Sequence, residues 1–266
     1  MRILFLGDTV GDMGVKLLQT YLPKLKQSLK PQITIINGEN ATSYGRGINE
    51  RVYKQIMNAG ADVITLGNHA WNNDDIFNFI DQKNNLIRPA NFPGKNVPGR
   101  GFTIVNVNNV KVAVINLQGR VFMDTLDDPF QTIDKVLKQL PSKINHIFVD
   151  FHAETTSEKQ AMVMYLDGRI SALVGTHTHV QTNDARILSR GTAYLTDAGM
   201  TGPYDGVLGM KYSGVIKHFL TQRPSRFEVE ESGRGIVSGC VIDINNDGIA
   251  KKIKLIQLNP NNSYQV

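Results

Sequence analysis

Apolar residues recur along the chain in two alternating rhythms. Arg2–Leu6, Gln32–Ile36 and Asp62–Leu66 are short runs rich in Ile, Val and Leu, and each stops at a turn containing Gly7, Asn37-Gly38 or Gly67. Between them the apolar positions repeat every three or four residues. Val15–Leu29 carries Leu17, Leu18, Leu22 and Leu25, Glu50–Ala59 follows, and Asp74–Gln82 is rich in Ile and Phe. The first rhythm predicts strands and the second predicts helices. Together they read β-α-β-α-β-α, the order of a parallel sheet covered by helices.

The pattern then changes. Gly101–Val107 and Val110–Leu117 flank Asn108-Asn109, a two-residue hairpin turn. Thr132–Leu140 reads as a helix, His146–Asp150 as a strand, Ser157–Asp167 as a helix and Ser171–Val174 as a strand. Ala185–Ser189 and Thr192–Thr196 form a second hairpin around Arg190-Gly191. Gly214–Gln222 is helical, and Gly239–Ile244 with Lys251–Gln257 closes the pattern as a hairpin around Asn245–Gly248. Parallel units early and hairpins late predict an α/β fold of two mixed sheets packed face to face, with helices outside. No Pro- or Ser-rich linker divides the chain, so residues 1–266 are expected to form one domain.

Composition narrows the class. At 266 residues, with 41% hydrophobic and 20% charged residues, the chain has ample material for a core and does not resemble a disordered protein. A net charge of +5 does not repel an anionic substrate, but it is too diffuse to indicate DNA or a membrane surface. The apolar run at the N-terminus stops at Gly7-Asp8, short of a secretory h-region of about 7–15 residues. No segment approaches the about 20 apolar residues of a membrane span. One cysteine, Cys240, excludes an intrachain disulfide and a Cys-based zinc site. A cytoplasmic protein with no membrane partner is expected, and a homo-oligomer is left open. Six histidines become the scarce groups for metal binding and proton transfer.

Five polar clusters lie at predicted strand ends. They are Gly7-Asp8, Asn37-Gly38-Glu39-Asn40, Gly67-Asn68-His69, Phe151-His152-Ala153-Glu154 and Gly175-Thr176-His177-Thr178-His179. In α/β sheets the carboxyl ends of parallel strands are where ligands bind. Asp, Glu, Asn and His are the oxygen and nitrogen ligands of divalent metals such as iron, manganese or zinc. Each cluster alone has a plain structural reading as a turn, a cap or a buried imidazole. Four of the six histidines gathering at these ends argue for chemistry. In an extended chain His177 and His179 project to the same side, as two ligands need. His146 and His218 read as structural, Cys240 as a core residue and Asn245–Gly248 as a turn. Arg46, between Gly45 and Gly47, reads as part of a mobile loop. Trp71, beside His69, either walls the site or stacks a base.

In this order the five motifs resemble the calcineurin-like metallophosphoesterase superfamily and, more narrowly, its YmdB-like branch. Asp197-Ala198-Gly199-Met200-Thr201-Gly202-Pro203 extends the similarity toward the end of the chain. The resemblance implies an αββα sandwich and a dinuclear centre of iron or manganese. It places Asp8, Glu39, Asn40 and His179 at one metal, and Glu39, Asn68, His152 and His177 at the other, with Glu39 bridging. It makes His69 the proton donor. It further implies hydrolysis of cyclic nucleotides by a metal-bridging hydroxide, with 2′,3′-cyclic nucleotides opened to 3′-nucleotides. Histidine suits the acid role because it exchanges protons near neutrality. Two departures from the wider superfamily accompany the resemblance. Asp8 is followed by Thr9-Val10 where most members have Asp-x-His, and Asn40 takes the missing ligand's place. Ala70 and Trp71 follow His69 where most members have a carboxylate, which leaves open what orients His69.

Two other readings compete. A regulatory metal-binding protein could act through an RNA or protein partner, since Arg46, Arg51, Arg100 and Arg120 lie in or near loops, although no RNA-recognition signature accompanies them. An amidohydrolase barrel also uses a His-x-His pair, but at its first strand, and it needs eight βα units. Here the pair comes late in the chain.

Overall fold

The structure is a computed structural model that describes residues 1–262. In chain order its elements begin with β1 (Arg2–Leu6), β2 (Asp8–Thr9), α1 (Gly11–Leu29), β3 (Ile33–Asn37), α2 (Glu50–Ala59), β4 (Val63–Thr65) and β5 (Leu86–Ile87). They continue with β6 (Phe102–Val107), β7 (Val110–Gln118), α3 (Pro129–Gln139), β8 (His146–His152), α4 (Thr156–Leu166) and β9 (Ala172–Thr176). The last are β10 (Arg186–Ile187), β11 (Ala193–Leu195), β12 (Met200–Pro203), α5 (Tyr212–Thr221), β13 (Gly235–Ile244) and β14 (Ala250–Leu258).

Among the described residues these strands form two mixed sheets. The first runs β2-β12-β13-β1-β3-β4-β5, with β14 also paired to β13. The second runs β10-β11-β9-β8-β7-β6. Strict alternation along the strands explains how the sheets are stacked. In β1, Ile3 and Phe5 point inward to the other sheet, where Phe5 meets Phe148 of β8 at 5.1 Å between ring centroids. Leu4 and Leu6 point the other way, onto Leu18 and Leu22 of α1 and Ile56 of α2. In the second sheet Val114 and Phe148 face inward, while Ile115, Val149 and Phe151 pack on Ile133 of α3 and on Met162 and Val163 of α4. A strand buried on both faces therefore sorts its odd and even residues into two different cores. The αββα architecture follows from that sorting.

Several elements differ from the sequence reading. Asp74–Gln82 is not an α-helix but two 3₁₀ turns, Asp74–Asn78 and Ile80–Gln82. Asn73 caps the first through Asp75, and Asp75 is in turn held by the backbone N–H of Glu50. Ile76 and Phe79 lie three residues apart and are both buried, a spacing that three residues per turn satisfies. The short strands β2, β5 and β12 carry too few residues to show a period. They exist because a partner strand is already in place, as when β2 pairs in parallel with β12. The loop around Arg46 is pinned rather than mobile. Asn40 Nδ2 donates to the Gly45 carbonyl at 2.9 Å, and Thr42 Oγ1 donates to the Arg46 carbonyl at 2.6 Å. Among the described residues no helix is long and apolar enough to cross a membrane.

Candidate metal centre

Parallel pairing of β1, β3 and β4 in one sheet, and of β8 and β9 in the other, brings five strand ends to one rim. Asp8 lies just past β1, in the short β2 strand. Glu39 and Asn40 follow β3, and Asn68 and His69 follow β4. His152 is the last residue of β8 itself, one of the differences from the sequence reading, which ends that strand at Asp150. His177 and His179 follow β9. Gly67 lets the rim close tightly, since a side chain there would run into the Glu39 carboxylate and the His152 ring.

At the centre, three acceptor atoms crowd one imidazole nitrogen. His152 Nε2 lies 2.8 Å from Asn68 Oδ1, 3.1 Å from Glu39 Oε1 and 3.0 Å from His177 Nδ1. Glu39, His152 and His177 bring ligand atoms within 4.8 Å of one another. Two further buried oxygens, Asp8 Oδ1 and Asn40 Oδ1, have no hydrogen-bond partner among the described residues. A buried acceptor without a partner costs about 1–3 kcal/mol. One cation can satisfy several at once, so the donor set fits metal ions better than it fits itself.

The imidazoles are oriented for that role. Asp150, fully buried, accepts from Asn37 Nδ2 at 3.0 Å, Thr65 Oγ1 at 2.5 Å and Thr176 Oγ1 at 2.7 Å. Because Thr176 directs its proton to Asp150, its oxygen accepts from His152 Nδ1 at 2.9 Å. His152 is thereby committed to presenting Nε2 to the cluster. His177 Nε2 lies 3.0 Å from Glu154 Oε2, which directs Nδ1 inward. His179 Nδ1 donates to the Leu208 carbonyl at 3.0 Å, leaving Nε2 available. The sequence reading assigns no role to Glu154, Thr176 or Asp150. Glu154 lies in the His152 motif, and that proximity is the one signal for it.

His177 and His179 are not an extended pair. Their φ angles are 101° and 64°, in the left-handed region that costs non-glycine residues about 1–3 kcal/mol each. Two carboxylates hold the turn. The His177 N–H donates to Asp8 Oδ2 at 3.1 Å, and the Thr178 N–H donates to Asp197 Oδ2 at 3.1 Å. Asp197 is itself gripped by Lys159 of α4 at 2.8 Å, and both side chains are fully buried. We expect Lys159→Met to lower stability by about 3–5 kcal/mol, read from the denaturant midpoint, because it leaves Asp197 buried and unpaired. The double variant with Asp197→Asn should recover part of that loss.

Electrostatics follow from burial and charge density. Burial would lower the His152 pKa, but Glu39, Asp8 and Asp150 overcome it and push it up to about 9. Burial would raise Glu39, yet His152 and His69 hold it down at about 2. Burial lifts Asp8 to about 6 against the pull of His179 and His152. Burial, reinforced by the neighbouring His152 charge, lowers His177 to about 3. In the metal-free chain one proton on His152 thus sits among acceptors that a metal ion would otherwise engage.

His69 lies on the wall of a cavity of about 300 Å³ that it shares with Glu39, Asn40, His177 and His179. Its backbone N–H donates to Glu39 Oε2 at 3.1 Å. Asn72 supplies the missing orienting group, with its Oδ1 accepting from His69 Nδ1 at 2.9 Å. Nε2 faces the Asn68 carboxamide, whose Nδ2 lies 3.4 Å away. Trp71 points away from this chemistry, stacked on Phe77 and tilted against Phe92.

The chain is similar to known proteins along nearly its whole length. The family model described as YmdB-like protein matches residues 4–256. A 2′,3′-cyclic-nucleotide 2′-phosphodiesterase of Bacillus subtilis (strain 168) is 53% identical over 264 residues, covering 99% of this chain and 98% of that protein. Two solved structures are similar over nearly the whole chain. A hypothetical protein from Thermus thermophilus superposes with a TM-score of 0.91 at 37% identity, covering 97% of this chain and 99% of that one. A structure titled as a novel phosphatase from Mycoplasma pneumoniae gives a TM-score of 0.92 at 31% identity, covering 97% and 93%.

Proposed function

The chain belongs to the YmdB-like family of metallophosphoesterases, and from that premise we propose that it is a dinuclear-metal phosphodiesterase that opens 2′,3′-cyclic nucleotides to 3′-nucleotides. The observation that carries this reading is the convergence of His152 Nε2, Glu39 Oε1, Asn68 Oδ1 and His177 Nδ1 beside the unpartnered oxygens of Asp8 and Asn40. Asp8, Glu39, Asn40 and His179 would hold one metal ion, and Glu39, Asn68, His152 and His177 the other. Iron or manganese suits this nitrogen and oxygen set.

Bound there, two metal ions neutralise phosphate charge and make water more acidic. The chain's own residues do the rest. Glu39 offers one oxygen toward His152 and the other toward the His69 backbone, so one carboxylate ties the His69 turn to the ligand cluster. Asn72 holds the His69 ring by Nδ1, and Nε2 delivers a proton. A water oxygen attacks phosphorus, the P–O2′ bond breaks, and the 2′ oxygen takes the proton from His69 Nε2. The 3′-phosphate remains on the ribose, and the proton released by water restores His69.

Metal analysis of the purified protein, paired with turnover on 2′,3′-cyclic, 3′,5′-cyclic and linear phosphodiesters, tests this. We expect two metal ions per chain and the highest kcat/KM on the 2′,3′-cyclic substrates. Full metal loading with no turnover on any phosphodiester would favour a regulatory role through an RNA or protein partner instead.

A further inference from the structure

The catalytic cavity does not end at the candidate metal ligands. A second cavity of about 450 Å³ adjoins it, and Tyr44 and Phe227 line both. We propose that this second cavity is the nucleobase subsite, with Tyr44 and Phe227 as the aromatic surfaces against which the base lies. This deepens the cyclic-nucleotide reading and rests on it.

Three observations support the assignment. The first is exposure. Tyr44 is 73% exposed and Phe227 is 38% exposed, although large aromatic side chains contribute most when covered. The second is that the backbone carrying each of them is held in place without a ligand. The turn carrying Tyr44 is closed by the Gly45 N–H donating to the Thr42 carbonyl at 2.8 Å, and by Asn40 Nδ2 donating to the Gly45 carbonyl. Gly45 lies so close to Val229 that an added Cβ would come within 2.6 Å of its Cγ2, which packs the Tyr44 turn onto the strand-like segment that carries Phe227. That segment is tied down in turn. The Lys211 N–H donates to the Glu228 carbonyl at 2.8 Å, the Glu230 N–H donates to the Gly209 carbonyl at 2.9 Å, and the His218 ring packs edge-on against Phe227. A backbone already in place lowers the entropy cost when a flat ring stacks on the aromatics it carries.

The third is charge. Lys211 and Arg226 line the second cavity together with Glu228 and Glu231, and Lys211 pairs with Glu228 at 3.0 Å. The two signs balance. A second phosphate would need a net positive site, whereas a neutral heterocycle with donors and acceptors on its edge suits mixed charges and Ser43. Asn40 completes the geometry, since it lines the first cavity with an unpartnered Oδ1 and its Nδ2 fastens the Tyr44 turn. Phosphate and base would therefore be registered through one residue.

Equilibrium binding to the purified, metal-containing protein tests this. The probes are adenosine 3′-monophosphate and its base-free counterpart, ribose 3-phosphate. We expect the nucleotide to bind at least about tenfold more tightly, and that advantage to fall about tenfold in Tyr44→Ala and in Phe227→Ala while Tyr44→Phe keeps it. Equal affinity of the wild type for the two probes, or an advantage unchanged in both alanine variants, overturns the subsite. Failure of the cyclic-nucleotide reading looks different: the base advantage and its loss on mutation persist in binding, but the protein turns over no 2′,3′-cyclic substrate.

Discussion

Replacing His69 with alanine is expected to lower turnover of a 2′,3′-cyclic nucleotide by about 10²–10⁴-fold while metal content stays at the wild-type level. The two halves of that result have separate causes. The His69 side chain makes its hydrogen bonds to Asn72 and Asn68 and stands outside the convergence of Glu39, His152 and His177. What it gives to the metal cluster is its backbone N–H, which Glu39 Oε2 accepts and which alanine retains. The proposed ligands therefore stay in place, while the leaving oxygen would lose its proposed proton source. A substrate whose leaving group is a weak base, such as a nitrophenolate, needs that proton less. It should lose far less rate in the variant, and an equal loss on both substrates would remove His69 from the acid role. Asn72→Ala should produce a milder version of the same pattern, because the ring remains but its orientation is no longer imposed.

Glu39→Gln is expected to abolish turnover for a different reason, by loss of metal. Glu39 is the carboxylate nearest His152, and it also holds the His69 turn. In the proposed centre its two oxygens would hold both ions, and a carboxamide offers one weak acceptor in their place. Thermal unfolding with and without metal gives a readout independent of activity. A ligand present at 100 times its Kd stabilises the folded state by about 2.7 kcal/mol. The wild type should show an upward shift in Tm on metal addition, and Glu39→Gln should show little or none. The metal-free variant has its own signature. The carboxylate that most strongly opposes burial at His152 is gone, so the His152 pKa should fall from about 9, which NMR titration of the ring can follow. Retention of two ions per chain in this variant would exclude Glu39 as a bridging ligand.

The histidine count alone points to the rim, because each of the four histidines stands at the end of a recognisable apolar run. The unbroken apolar run Ile3–Leu6, stopped by Gly7, announces a buried strand, while the face each residue takes is set by the packing of the two sheets. Other parts of the site leave no such trace. Asn72 orients His69 from three residues away through a turn that no hydrophobic pattern marks. Lys159 reads as an ordinary helical lysine, yet it is buried and paired to Asp197, a residue 38 positions away. The left-handed backbone at His177 and His179 contradicts the extended pair expected from their spacing. Their conformation is held by the carboxylates of Asp8, in β2, and Asp197, in the loop after β11.

Local pattern along the chain marks the apolar runs that become buried strands, most of the helices that cover them, and the polar groups that gather at the strand ends. Those properties are local, since side-chain alternation and residue chemistry act within a few positions. Which nitrogen of each histidine faces the centre, which oxygens are left without partners, and which aromatic residues stand at the mouth are set by the folded arrangement. Those outcomes depend on hydrogen bonds and contacts between residues far apart in the chain. They come into being only when β1, β3, β4, β8 and β9 bring their ends to the same rim.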